Sequence, residues 1–166
     1  PTWNLFSKGL ASASHLEGAL IPNHDSKAAY EVNLVHDPWR PVPAVGGHLS
    51  DSPGEVNRLN LDLRPDVAVF TTQPIPKDLR LEGIPILFLE TKCDRESFDL
   101  FVALSIITNE IENVVTQIST GVIRVNNSNR HVQSDIKIRL QPILATFKEG
   151  DRLRISISGS GWPAIG

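Results

Sequence analysis

Two stretches near the end of the chain carry the clearest pattern. Asp135-Ile-Lys-Ile-Arg-Leu140 alternates, with Ile136, Ile138 and Leu140 on one face. Arg152-Leu-Arg-Ile-Ser-Ile-Ser158 does the same with Leu153, Ile155 and Ile157. A period of two predicts strands with one buried and one wet face. Lys148-Glu-Gly-Asp151 reads as the turn between them. Earlier, residues 67–72, 79–82, 84–91, 98–107 and 121–125 are rich in strand formers and bounded by Pro, Gly or Asn. Residues 108–115 suit a short helix or an elaborate loop. No amphipathic segment of about ten residues separates the strands, so nothing supports a βαβ unit.

Before Asp66 the pattern fades. Pro22, Pro38, Pro41, Pro43 and Pro53 recur, with Gly46-Gly47 between them. Proline lacks a donor and fixes φ, which defeats helices and central strands. Leu10 to His15 supports one weak turn of helix. Yet Trp3, Leu5, Phe6, Tyr30, Val32, Leu34, Val35 and Trp39 are too apolar for a solvated linker. Residues 1–65 are therefore read as an irregular arm and linker that packs against another surface. Residues 66–166 are read as an all-β domain, a jelly-roll-like β-sandwich of two antiparallel sheets.

The composition narrows the partners. The chain has 166 residues, enough for one domain with its own core. Its formal charge of -3 lacks the basic excess of a nucleic-acid binder. No run approaches the roughly eighteen apolar residues of a membrane-spanning helix. The single cysteine, Cys93, excludes a disulfide within the chain and reads as a small packed hydrophobe. There is no methionine, even at position 1, so the chain is read as a processed product or a piece of something longer. Its location stays open, with the cytoplasm slightly favoured.

Motifs for chemistry are sparse. Ser158-Gly-Ser-Gly-Trp162 lacks both outer glycines of a nucleophile elbow and precedes no helix. No dinucleotide or P-loop signature is present, and no cofactor is expected. His15, His24, His36 and His48 lie in the arm, where zinc ligation with Asp25 or Asp37 competes with plain surface hydrogen bonding. No metal site is assigned. Asp94, Glu96, Asp99, Asn109, Glu110 and Glu112 form an acidic cluster in sequence that would suit calcium only if loops brought it together. Asp99 opens an apolar run, so it should be partly buried and need a partner, with Arg124 and Arg139 as candidates. Asn126-Asn-Ser128 is a glycosylation sequon without secretory context. Trp3, Tyr30, Trp39 and Trp162 sit in turn-like contexts, as sugar platforms or as anchors on a partner domain.

Four stretches in order resemble the C-terminal domain of the cocaine-esterase and X-prolyl-dipeptidyl-peptidase hydrolases, the CocE/NonD group. They are His36-Asp-Pro-Trp-Arg-Pro-Val-Pro-Ala-Val-Gly-Gly47, Arg64-Pro-Asp-Val-Ala-Val-Phe-Thr-Thr-Gln-Pro74 followed by Leu81-Glu-Gly83, the run Asp94 to Leu104, and Phe147-Lys-Glu-Gly-Asp-Arg-Leu-Arg-Ile-Ser-Ile-Ser-Gly-Ser-Gly-Trp-Pro163. There are departures. The family's Asp-Thr-Asp is Ser97-Phe98-Asp99, which keeps only Asp99, and Gly161 stands where the family has Asn. The family's domain also runs on with further strands, so the sandwich is expected to be truncated at its C-terminus, with a sheet edge left open.

The resemblance implies a jelly-roll, galactose-binding-like sandwich that supports an upstream α/β-hydrolase domain of the same protein and helps shape its pocket. In such enzymes the catalytic Ser, Asp and His lie upstream of the matched part, so no catalytic residue is carried over. Trp39, Asp99 and Trp162 become candidates for the domain interface or pocket. Pro38, Pro41, Pro43, Gly46 and Gly47 become the linker motif. The substrate of the intact enzyme would be a small ester, amide or peptide. Self-association through exposed apolar surface or an open edge stays possible. The competing reading is a free-standing carbohydrate- or ligand-binding module using Trp39 or Trp162.

Overall fold

The near-continuous apolar run after Phe98 becomes β6 (Ser97–Ile107), a strand buried on both faces, as such runs usually are. The computed structural model describes residues 1–22, 30–47, 50, 53–109, 114–126 and 133–165. The other strands of the largest sheet are β1 (Trp3–Phe6), β2 (Gly18–Pro22), β3 (Val67–Thr72), β7 (Val115–Asn126) and β10 (Arg152–Ser158). They lie in the order β1-β2-β3-β10-β6-β7. Every neighbour pair is antiparallel except β2 with β3, which is parallel. Two ribbons complete the strands: β4 (Leu79–Gly83) with β9 (Ile143–Phe147), and β5 (Ile86–Thr91) with β8 (Ser134–Arg139).

Among the described residues the strands thus form three sheets, where two were expected. The split follows from the crossing between β8 and β9. There the chain bonds to β7, Gln141 N–H donating to the Thr120 carbonyl at 2.9 Å. Pro85 and Pro142 flank the gap between the ribbons and have no N–H to bridge it. Both ribbons still pack on the same core. Leu87, Ile136, Ile138 and Phe147 from the ribbons join Phe70, Leu100, Val102, Leu104, Leu153, Ile155 and Ile157 from the large sheet.

The described parts of the first 65 residues are more ordered than their pattern suggested. β1 and β2 add two strands to the large sheet, and Trp3, Leu5, Val32 and Leu34 pack on the main core. The surface the arm packs against is this chain's own sheet. Period-two signals failed here because the strands are only four and five residues long. Residues 56–58 run along the outer edge of β7. Gln117 N–H donates to the Val56 carbonyl at 3.1 Å and Arg58 N–H to the Val115 carbonyl at 2.9 Å. That length of the β7 edge is therefore paired. A single-turn helix, α1 (Leu59–Asp62), follows. β9 also went unread, since its Ala145 and Thr146 blur the alternation.

The alternation in β8 holds: Ile136 and Ile138 are buried while Lys137 and Arg139 are exposed. In β10 only half of it holds. Leu153, Ile155 and Ile157 face the core, but the face expected to be wet is buried too, including Arg154, Ser156 and Ser158. What covers it is described below.

If the ribbons are part of the core, Ile138→Ala should cost about 2–5 kcal/mol in urea melts. Lys137→Ala, one residue away on the solvent face, should stay within about 0.5 kcal/mol.

Candidate functional site

The strand registers place a polar row across the second face of the large sheet. Thr71 of β3 lies opposite Arg154 of β10, Arg154 opposite Ser105 of β6, and Ser105 opposite Gln117 of β7. Over this row sits α1, whose Asp62 and preceding Arg58 are four residues apart and so share a helical face. Asp62 accepts from Arg58 Nε at 3.1 Å, Ser156 Oγ at 2.8 Å and Arg154 Nη1 at 3.2 Å. Arg58 Nη1 donates to Gln117 Oε1 at 2.7 Å, and Gln117 Nε2 donates to the Val45 carbonyl at 2.7 Å. Arg154 Nε donates to Thr71 Oγ1 at 3.0 Å.

All three charges are withdrawn from water: Arg58 is 1% exposed, Asp62 2% and Arg154 5%. Burial pulls the Arg58 guanidinium below its ordinary pKa, and the Asp62 carboxylate and its hydrogen bond oppose that pull. The Arg58 guanidinium carbon lies 5.9 Å from the centre of the Phe101 ring, a cation–π contact. On Phe101 a second constraint acts. A Cβ at Gly161 would meet the ring at 2.3 Å, so the residue before Trp162 must be glycine for the chain to close over Phe101.

The proline-rich segment 38–47 is the rest of the cover. Trp39 N–H donates to Asp37 Oδ1 at 3.0 Å, forming a side-chain-stabilised turn between Pro38 and Pro41. Arg64 anchors the turn: it donates to the Arg40 carbonyl at 2.7 Å and grips Asp66 through two bonds, at 2.8 and 2.6 Å. Beyond the turn, the linker pairs with the end of the chain. Val42 N–H donates to Ser160 Oγ at 2.9 Å, Trp162 N–H to the Val42 carbonyl at 2.8 Å, and Ala44 N–H to the Trp162 carbonyl at 2.8 Å. Pro43 lies opposite Trp162 in this parallel bridge. Gly46 and Gly47 then take φ of +60° and +64°, a left-handed pair that turns the chain back so that Gly47 can bridge Gly54. The cover thus leaves Trp39 92% and Trp162 56% exposed.

Asp99 lies directly opposite Arg124, which grips it at 2.7 and 2.6 Å. Of the two candidate partners it takes Arg124; Arg139 lies on β8. Asp99 is buried, Arg124 stands mostly in solvent, and the carboxylate raises the guanidinium above its ordinary pKa through the hydrogen bond and their charge. A separate, mainly apolar cleft of about 640 Å³ is lined by Gly47, Pro53, Gly54 and Glu55, by β9, and by Ile106 and Ile118.

The other sequence candidates do not converge. His15 sits by the start of β10 and His36 by its end, beside Gly159. His24, His48, His131, Asp25, Glu110 and Glu112, with Asn127 and Ser128 of the sequon, lie outside the described residues. Asp94 and Glu96 precede β6 while Asn109 follows it, a strand length away. Among the described residues, no group of three or more His, Cys, Asp or Glu could hold a metal ion. Cys93 is partly exposed in the turn before β6, contrary to its reading as a packed hydrophobe. The missed residues are Arg58, Asp62, Arg154 and Gln117. The signal that could have found them is the Arg/Ser face of β10, whose strand turned out to be internal.

Residues 4–166 match the family described as the X-Pro dipeptidyl-peptidase C-terminal non-catalytic domain. The chain belongs to this family. The match takes in nearly all of the arm as well as the strands that follow. Among solved structures, an aminopeptidase from the marine sediment archaeon Thaumarchaeota archaeon has a TM-score of 0.60 at 20% identity, over 66% of this chain and 20% of that one. An α-amino acid ester hydrolase labelled with selenomethionine has a TM-score of 0.57 at 21% identity, with the same coverage. A CocE/NonD family hydrolase from Staphylococcus aureus aligns at 0.49 and 24% identity, over 60% of this chain and 24% of that one. No curated protein sequence matches the chain. The chain spans a fifth of the length of the first two structures, whose likeness shows the fold of this X-Pro peptidase C-terminal domain.

Removing the hub tests the buried cluster. Asp62→Ala strands two buried guanidiniums and should cost about 3–5 kcal/mol. Asp99→Ala, whose partner stands in water, should cost about 1 kcal/mol, both read from urea melts. The Arg64 hydrogen bond holds the Asp66 carboxyl below its ordinary range. Its stabilisation is therefore complete above the unfolded value, near pH 4, and is lost as pH falls through the folded one. Asp66→Asn should cost up to about 1 kcal/mol at neutral pH, and progressively less as the pH falls through the lowered folded pKa.

Proposed function

We propose that this chain is the non-catalytic module of a larger serine-type acyl hydrolase, packed on an upstream α/β-hydrolase domain whose substrate pocket it helps to shape. Family membership supports the non-catalytic role. In this reading the two ribbons act as one split layer facing the large sheet, a jelly-roll-like sandwich without the central hydrogen bonds of its second sheet. The intact enzyme cleaves a small ester, amide or peptide through an acyl-enzyme, with the nucleophile and its base supplied upstream.

The observation that carries the reading is the pinned linker. A flexible tether would be free of the domain it precedes. Here residues 42–44 are hydrogen-bonded to Ser160 and Trp162, and the Val45 carbonyl accepts from Gln117 of the buried cluster. The exposed Trp39 and Trp162 rings stand on the two segments so joined. Two large exposed indoles so fixed suit a protein interface, which favours aromatic anchors over flexible side chains.

A fluorophosphonate probe should leave the isolated 166-residue chain at its unmodified mass; a stoichiometric serine adduct would overturn the assignment. In the intact protein, Trp39→Ser should lower thermal stability and alter KM. In the isolated chain the same change should stay within about 0.5 kcal/mol. Equal effects in both settings would place Trp39 in the fold of this domain instead of at an interface.

A further inference from the structure

The buried cluster on the second face of the large sheet holds two guanidiniums against one carboxylate. Such an imbalance is costly away from water, and a further anion relieves it. Arg58 is enclosed and reaches no surface. Arg154 does reach one. It lines a small cleft of about 90 Å³ where the loop before β2 meets the end of β3 and the start of β10.

The cleft's chemistry has one sign. His15 and Arg152 join Arg154 on its walls, with Thr71 and Gln73 as neutral polar neighbours and no carboxylate among the described lining residues. Glu17, in the same loop, is turned away, its carboxylate accepting from Ser7 Oγ and Lys8 N–H. Asp62 lies behind Arg154, bonded to Nη1. Arg154 is held from behind by Asp62 and at its Nε by Thr71, so its fork is fixed before any ligand arrives. No described residue accepts a bond from its Nη2 or from the side chains of Arg152 and His15. The space holds a few waters, or a single oxyanion.

We propose that this cleft is a binding site for a small oxyanion, a phosphoryl or carboxylate group, with Arg154 as its preorganised buried floor and Arg152 and His15 closing on it from the surface. Guanidinium forks match such groups in geometry as well as charge. The site is built entirely within this chain and is independent of where the indoles dock.

The test is calorimetric titration of the 166-residue chain with inorganic phosphate and, separately, acetate, against sodium chloride at matched ionic strength. Phosphate should bind with a defined stoichiometry and raise Tm above the chloride control. Arg152→Ala and His15→Gln, both at the surface, should each weaken it about tenfold while leaving the melting temperature of the unliganded protein unchanged. Binding of phosphate but not acetate assigns a phosphoryl ligand; binding of both assigns a carboxylate-tolerant site. The proposal is overturned if neither anion exceeds chloride, or if both surface variants bind phosphate as the parent does.

Discussion

Asp62 is a carboxylate shared by two buried guanidiniums, and the second face of the large sheet is organised around it. Two of its three hydrogen bonds tie α1 to β10, and the third holds Arg58 at the start of the helix. Through Arg58 and Gln117 the same cluster reaches the Val45 carbonyl of the linker. Removing one member of such a group leaves the others charged, buried and unpaired, which costs more than the group contributes when complete. Its larger effect is therefore on register: the cover is held in one position over the sheet because other positions would strand a charge.

That constraint explains how a proline-rich segment comes to be rigid. Prolines 38, 41 and 43 remove N–H groups that could have paired in a sheet. The donors that remain, on Trp39, Arg40, Val42 and Ala44, all find acceptors. The N–H groups of residues 39–44 are thus bonded although this stretch is neither strand nor helix. Gly161 lets the chain's end lie flat on Phe101, and Trp162 then completes the bridge to Pro43. The tryptophans are presented by this chain of contacts, from buried charge to linker to exposed ring.

Much of the strand order was legible because the core-facing residues alternate or run continuously. β3, β4, β5, β6, β8 and β10 appear close to where the pattern put them. That Asp99 takes a partner, Arg124 being one of two candidates, was also readable, from the cost of burying an unpaired carboxylate. The buried cluster was hidden for a physical reason. Arg154, Ser156 and Ser158 look like a solvent face because alternation reports polarity, while burial depends on what lies above the strand. The cover comes from residues about a hundred positions earlier, and nothing local to β10 announces it. β1 and β2 were hidden for the same reason, since short strands are stabilised by the sheet they join.

Native-state hydrogen exchange tests most directly whether the cover is integral to the fold. The account predicts that the amides of Val42, Ala44 and Trp162 exchange in the same cooperative opening as Ile155 within β10. It also predicts that Asp62→Asn lowers their protection together. Free exchange of the linker amides while β10 stays protected would contradict it, and would leave the tryptophans on a loose strap.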